Sequence, residues 1–218
     1  MLTIIDCGMG NLRNVSMAFR RLSIDTRITD RADEIRAARA LVLPGVGAFG
    51  DGIDSLRARG LERPIVEAVR GGVPFLGICV GMQLLFEVSE EMGRHRGLGI
   101  LPGRVRRFPP GHPVPHMGWN QIHQIMPSLM WRGVPDHAYA YFVHSYYAEA
   151  GDPAVIAATT DYGLDYVSAV ARDNLFAIQF HPEKSQEVGE RILRNFALFA
   201  GLSVAVDPST PSTPEEAS

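Results

Sequence analysis

The sequence predicts a single α/β domain with a mostly parallel central sheet, flanking helices and an antiparallel β annex in its second half. Two patterns carry this expectation. Between residues 2 and 78 short apolar runs alternate with helix-like stretches, the order that builds a parallel sheet through helical crossovers. Between residues 98 and 180 the runs are β-rich and punctuated by turn residues, with no helix clearly separating most of them.

Taken in order, "LTIID" (2–6) reads as a buried strand. "NLRNVSMAFRRL" (11–22) reads as a helix with Leu12, Val15, Phe19 and Leu22 on one face. A strand at 25–29, a helix at 31–38, a strand at 40–45, a helical region at 51–70 and the strand "PFLGI" (74–78) follow. After Cys79, "VGMQLLFE" (80–87) reads as a helix. The annex strands are expected at 103–108, 120–125, 140–147, 154–160, 165–173 and 175–180. A helix over 187–201, with Ile192, Phe196 and Phe199 as its apolar stripe, closes the domain at residue 203. The Pro/Ser/Thr-rich tail, 204–218, has too little apolar surface to offset its ordering entropy and is expected to be disordered.

Composition narrows the function. The chain of 218 residues is 46% hydrophobic and 21% charged, with a formal net charge of −3, so neither nucleic acid nor an anionic membrane is expected as a partner. Cys7 and Cys79 have no metal-ligand spacing and form no disulfide framework, which suits a reducing cytoplasm. The N-terminus lacks the layout of a signal peptide, and no apolar run approaches the ~18 residues of a membrane span.

One short stretch points to chemistry. "GICVG" places Cys79 between two glycines where a strand gives way to a helix, the cysteine form of the G-x-S-x-G nucleophile elbow. Such a turn lifts the sulfur beyond the sheet's carboxyl edge, sets it at a helix N-terminus that favours thiolate, and frees the Val80 N–H for an oxyanion. The plain alternative is a small packed cysteine. Among seven histidines, His181 alone also follows a strand, in "FHPEKS". Pro182 favours an extended His181, and in extended chain Glu183 shares its side, so the carboxylate can orient the imidazole. "LVLPGVGAFG" adds a glycine-rich strand end able to aim backbone N–H groups at developing charge. A solvated turn would explain "HPE" alone, and an ordinary Gly-rich βα turn would explain "PGVG" alone.

"PGVGAF", "GICVGMQLLFE" and "FHPEKS", in this order, resemble the class I (triad) glutamine amidotransferases. "DCGMGNLRNV", "PHMGWN" and "YFVHSYY" make the chain similar, within that family, to the glutaminase subunits of imidazole glycerol phosphate synthase, from about residue 3 to about residue 200. The resemblance implies the class I glutamine amidotransferase fold. It implies Cys79 as nucleophile, His181 as acid/base, Glu183 as orienter, and Gly47 and Val80 at the oxyanion hole. Gly45, Gln83, Glu91, Ser145 and Tyr146 would contact L-glutamine. No metal or organic cofactor is implied. The partner would be a (β/α)8-barrel cyclase subunit in a heterodimer, met by Asn11, His116, Met117, Trp119, Asn120 and Lys184. Lys184 is the only lysine in the chain. There its slender ammonium would pair with a partner carboxylate along the route of ammonia. Cys7 stands where the family commonly has tyrosine and is assigned no chemistry. Glutaminases of other synthases (pyridoxal phosphate, anthranilate or GMP) share the triad but not "GMGN" and "PHMGWN". A non-enzymatic α/β protein with an elbow cysteine would not need His-Pro-Glu at a second strand end.

Overall fold

The computed structural model describes residues 1–204, so all but the first residue of the expected tail lies outside the described residues. The first half alternates as its sequence implies: β1 (Leu2–Ile5), α1 (Leu12–Arg21), β2 (Thr26–Thr29), α2 (Ala32–Arg36), β3 (Leu41–Gly45), α3 (Phe49–Ala58), α4 (Glu62–Arg70) and β4 (Phe75–Cys79). The expected 51–70 helix is two helices, because Gly60 turns the chain at φ +68° and Leu61 is drawn into the core. After β4 comes α5 (Val80–Gln83), a single turn in place of the expected eight-residue helix. Leu84, Leu85 and Phe86 are wholly buried, and the backbone beyond α5 bonds instead to the 97–101 segment.

The second half contributes β5 (Val88–Ser89), β6 (His95–Arg96), β7 (Gly103–Arg107), β8 (His116–Gln124), β9 (Ala138–His144), β10 (Tyr146–Ala150), β11 (Ile156–Asp161), β12 (Asp165–Arg172) and β13 (Leu175–Ile178), then α6 (Gln186–Phe199). The expected 140–147 strand is split at Ser145, and the two-residue β5 and β6 carry too short a pattern to read from sequence. The annex is continuous with the main sheet. β2, β1, β3, β4 and β13 lie side by side, all parallel, and β12, β10 and β7 extend them antiparallel. β11 branches from β12 and leads to the β8–β9 hairpin.

The apolar periodicities explain the packing. β1, β3, β4 and β13 are buried along their whole lengths, as parallel strands covered on both faces must be. In α1, Val15, Ala18 and Phe19 turn inward, and α1 packs against α6. In α6 the buried stripe is Ile192, Leu193 and Phe196. Phe199, expected on it, lies in the last turn and is 38% exposed.

Candidate active site

Three parallel strand ends converge on the site. β3 and β4 end in register, Gly45 opposite Cys79, and Ile78 lies opposite Ile178 of β13, whose chain runs on to His181. This is the carboxyl edge where open α/β sheets receive ligands. Cys79 sits at φ 55°, ψ −113°, a backbone state that L residues rarely adopt. The flanking glycines make the bend possible. A side chain on Gly81 would run into the Leu43 carbonyl, and one on Gly77 would come within 3.0 Å of the Ala177 Cβ.

Cys79 is 3% exposed, yet its small opening is a cavity of about 180 Å³. The cavity wall also contains Gly47, Val80, Gln83, Glu91, Ser145, Tyr146 and His181, all named from the sequence. His181 Nδ1 lies 2.9 Å from Glu183 Oε1, both side chains almost fully buried. The reason differs from the expected one. β13 stops at Ile178, His181 is extended (φ −97°, ψ 102°), and a 3₁₀ turn over Pro182–Lys184 folds Glu183 back onto the ring. Ser185, which the motif reading passed over, locks that turn. Its hydroxyl donates to the His181 carbonyl at 2.6 Å and accepts from the Tyr141 N–H at 3.0 Å.

The electrostatics favour an imidazolium. Burial works against the charged ring, but the Cys79 sulfur and the Glu183 carboxylate outweigh it and raise the His181 pKa to about 10. Nε2 has no aligned hydrogen-bond partner among the described residues. Contacts of this kind tighten when substrate arrives. With α5 reduced to one turn, its dipole adds little at Cys79. Cys7 is the contrast. It is fully buried with Sγ 3.4 Å from the Met9 carbonyl, and burial pushes its thiol up.

Around Cys79, Gln83 Nε2 donates to the Tyr146 carbonyl and to Gln179 Oε1, both at 3.0 Å, while Gln179 Nε2 lies 3.6 Å from Cys79 Sγ. Glu91 accepts from the Phe49 N–H at 2.7 Å and so anchors the end of the Gly45–Phe49 loop, in which Gly47 holds φ +99°. Gly45 is corrected. It lies under the elbow, where an added Cβ would sit 2.9 Å from Val80 Cβ, and does not line the cavity. Val46, Val143 and His144 line it and were missed, as was Gln179 behind the sulfur. Proximity to "PGVG" and "HSYY" was the available signal for the first three.

The expected partner face is mixed. Strand alternation turns Met117 (65% exposed) and Trp119 (46%) outward. Trp119 meets Tyr141 edge-on at 6.1 Å, and Lys184 Nζ lies 5.4 Å from the same ring, giving a continuous surface. Asn11 is half-buried at the start of α1, and Asn120 is half-buried, donating to the Asp161 carbonyl at 2.8 Å. His116 is corrected: at 3% exposed it faces a cluster of aromatic rings and cannot meet a partner. One group with metal-ligand spacing exists among the described residues, His123, Asp136 and His137. It is exposed on the β8–β9 hairpin, away from the cavity wall. Among the described residues no helix is long and apolar enough to cross a membrane.

Residues 3–199 match the family model described as glutamine amidotransferase class-I. The imidazole glycerol phosphate synthase subunit HisH of Desulfitobacterium hafniense (strain Y51) is 48% identical over 206 residues, covering 94% of this chain and 98% of the relative. The subunit of the same name from Syntrophotalea carbinolica is 53% identical over 203 residues, covering 90% and 98%. A crystal structure of a glutamine amidotransferase superposes with a TM-score of 0.73 at 21% identity, over 92% of this chain and 99% of that one, which speaks to the fold. The chain belongs to the class-I glutamine amidotransferase family and, within it, to the imidazole glycerol phosphate synthase HisH subunits.

Proposed function

We propose that this chain is the glutaminase half of imidazole glycerol phosphate synthase, with Cys79, His181 and Glu183 as its triad. The observation that carries the reading is the strained Cys79 opening on a small cavity that also holds the His181–Glu183 pair at 2.9 Å. His181 takes the thiol proton, and the Cys79 sulfur attacks the carboxamide carbon of L-glutamine. Backbone N–H groups at Gly47 and Val80 receive the oxyanion. The imidazolium then protonates the leaving ammonia, and water activated by the neutral ring cleaves the thioester to glutamate. Glu183 keeps the ring oriented and stabilises its charge.

Ammonia passes to a cyclase subunit, which forms imidazole glycerol phosphate and AICAR from PRFAR in histidine biosynthesis. The exposed Trp119, Met117 and Lys184 surface supports a heterodimer, since a half-exposed tryptophan beside a tyrosine is the composition of an interface hot spot. The cytoplasm is the proposed compartment. The test is glutamate release from glutamine, with and without the cyclase subunit and its nucleotide ligand. Release that rises in the complex supports the reading. Absence of release under both conditions refutes it.

A further inference from the structure

Behind the cavity a file of hydrogen bonds runs through the protein interior. Asn120 Nδ2 lies 3.3 Å from His116 Nε2, and His116 Nδ1 lies 3.1 Å from the Tyr166 hydroxyl. That hydroxyl lies 3.3 Å from His144 Nε2, and His144 Nδ1 lies 2.8 Å from the Tyr146 carbonyl. His116, Tyr166 and His144 are all buried. No two neighbours within this trio are close in sequence, the separations being 50 and 22 residues.

Both ends of the file are pinned independently. At the inner end a carbonyl can only accept, so His144 must carry its proton on Nδ1. At the outer end the Asn120 amide is oriented by two other bonds. Its Nδ2 donates to the Asp161 carbonyl at 2.8 Å, and its Oδ1 accepts from the Gln121 N–H at 2.8 Å. The Asn120 group facing His116 is therefore a donor, and His116 Nε2 must accept. Burial in the aromatic cluster lowers the pKa of His116 to about 4 and of His144 to about 3, so each ring is neutral and has one N–H. One proton arrangement satisfies all four bonds. Asn120 donates to His116, His116 Nδ1–H to Tyr166, Tyr166 O–H to His144, and His144 Nδ1–H to Tyr146.

The inner end matters because the Tyr146 carbonyl also accepts the Gln83 amide, and His144, Tyr146 and Gln83 all line the cavity. We infer that His116, Tyr166 and His144 are positioning residues for the amide-binding wall, a one-way hydrogen-bond file that fixes the Tyr146 carbonyl and, through it, Gln83. This rests on the glutaminase reading for the identity of the bound molecule, whereas the proton arrangement does not. The file starts beside Trp119, so the strand that bears the exposed surface is joined by side chains to the cavity wall.

Nitrogen-15 NMR of the full chain with labelled histidine, assigned by single His→Gln variants, tests the arrangement. Protons on Nδ1 of both His116 and His144, with Nε2 bare, are expected. A proton on Nε2 of either ring overturns the file. Tyr166→Phe removes the hydroxyl that serves as both donor and acceptor while keeping the ring. In complex with the cyclase subunit, it should raise KM for glutamine roughly tenfold with kcat changed much less. A residue that merely supports the fold would lower Tm without this split. An unchanged KM, with wild-type hydrolysis intact, removes the positioning role. Absence of hydrolysis by the wild type instead overturns the reading beneath it, and with it the assignment of the wall to glutamine.

Discussion

His181 and His144 border the same cavity, and both are buried, yet their surroundings hold them in opposite states. His181 lies between a thiol and a carboxylate, and its pKa rises to about 10 despite burial. His144 lies among Phe108, Phe142 and Tyr166 with no anion beside it, and burial takes its pKa down to about 3. The lesson is that burial alone does not set the charge of a histidine here. It keeps His144 neutral, and an anionic partner overrides it at His181. A ring with an anion on one nitrogen is poised for proton transfer, whereas a ring between a hydroxyl and a carbonyl is a fixed neutral connector.

The first way to break this contrast is to remove the thiol. Cys79→Ala should lower glutamine hydrolysis by at least about 10⁴-fold, because nucleophile and base act as a unit. The fold should survive, since the change is small and the elbow glycines remain. The complex should still form product from added ammonia. Glutamate release near the wild-type rate would end the nucleophile assignment.

Next comes the base. His181→Asn should reduce hydrolysis on the order of 10²–10⁴-fold. Glu183→Gln should cost less, because the carboxylate orients the ring and does not itself move the proton. Equal losses in steady-state assays would mean that orientation matters as much as transfer.

The two regions should also differ in their pH dependence of stability. His116 and His144 have folded pKa values below the ordinary value of roughly 6.5, so the unfolded chain takes up their protons first. Stability should therefore fall as pH drops from about 6.5 toward about 4 and 3, by up to about 1.4 kcal/mol per pH unit for each ring. The folded pKa of His181 is raised, so its contribution is complete below roughly 6.5 and is lost as pH climbs through about 10. Urea midpoints across pH would read both effects. His116→Gln should flatten the acid limb and leave the alkaline limb alone. An unchanged acid limb would show that burial of His116 is not what sets it.

The smallest effect expected is at the outer face of β8. Trp119→Ala should weaken association with the cyclase subunit by about tenfold or more, measured by titration calorimetry. Melting temperature should shift by only a few degrees, because the side chain is half in solvent. A large loss of Tm with unaltered binding would place Trp119 in the domain's own packing.

The geometry of the proposed triad was legible because each part is local. Two glycines around one cysteine fix an elbow, and a carboxylate two residues after a histidine can return to it by a turn as readily as along a strand. The parallel sheet was equally legible, since continuous apolar runs such as "ALVLPG" admit burial on both faces. The stop of α5 at Gln83 was not, because Leu84, Leu85 and Phe86 suit a helix interior as well as the buried bend they form.

What the sequence determined by itself is therefore the candidate reacting groups and the strand ends that carry them, since short spacings and apolar periodicity specify both. Only the tertiary structure decided which histidines are neutral connectors, that Gly45 supports the elbow from below, and that His116 faces inward while Trp119 faces out. Those outcomes depend on contacts between residues tens of positions apart, on the register of β8 against β9, and on which nitrogen finds a partner. No local pattern encodes them, because each is settled by what the folded chain brings to the other side of the ring.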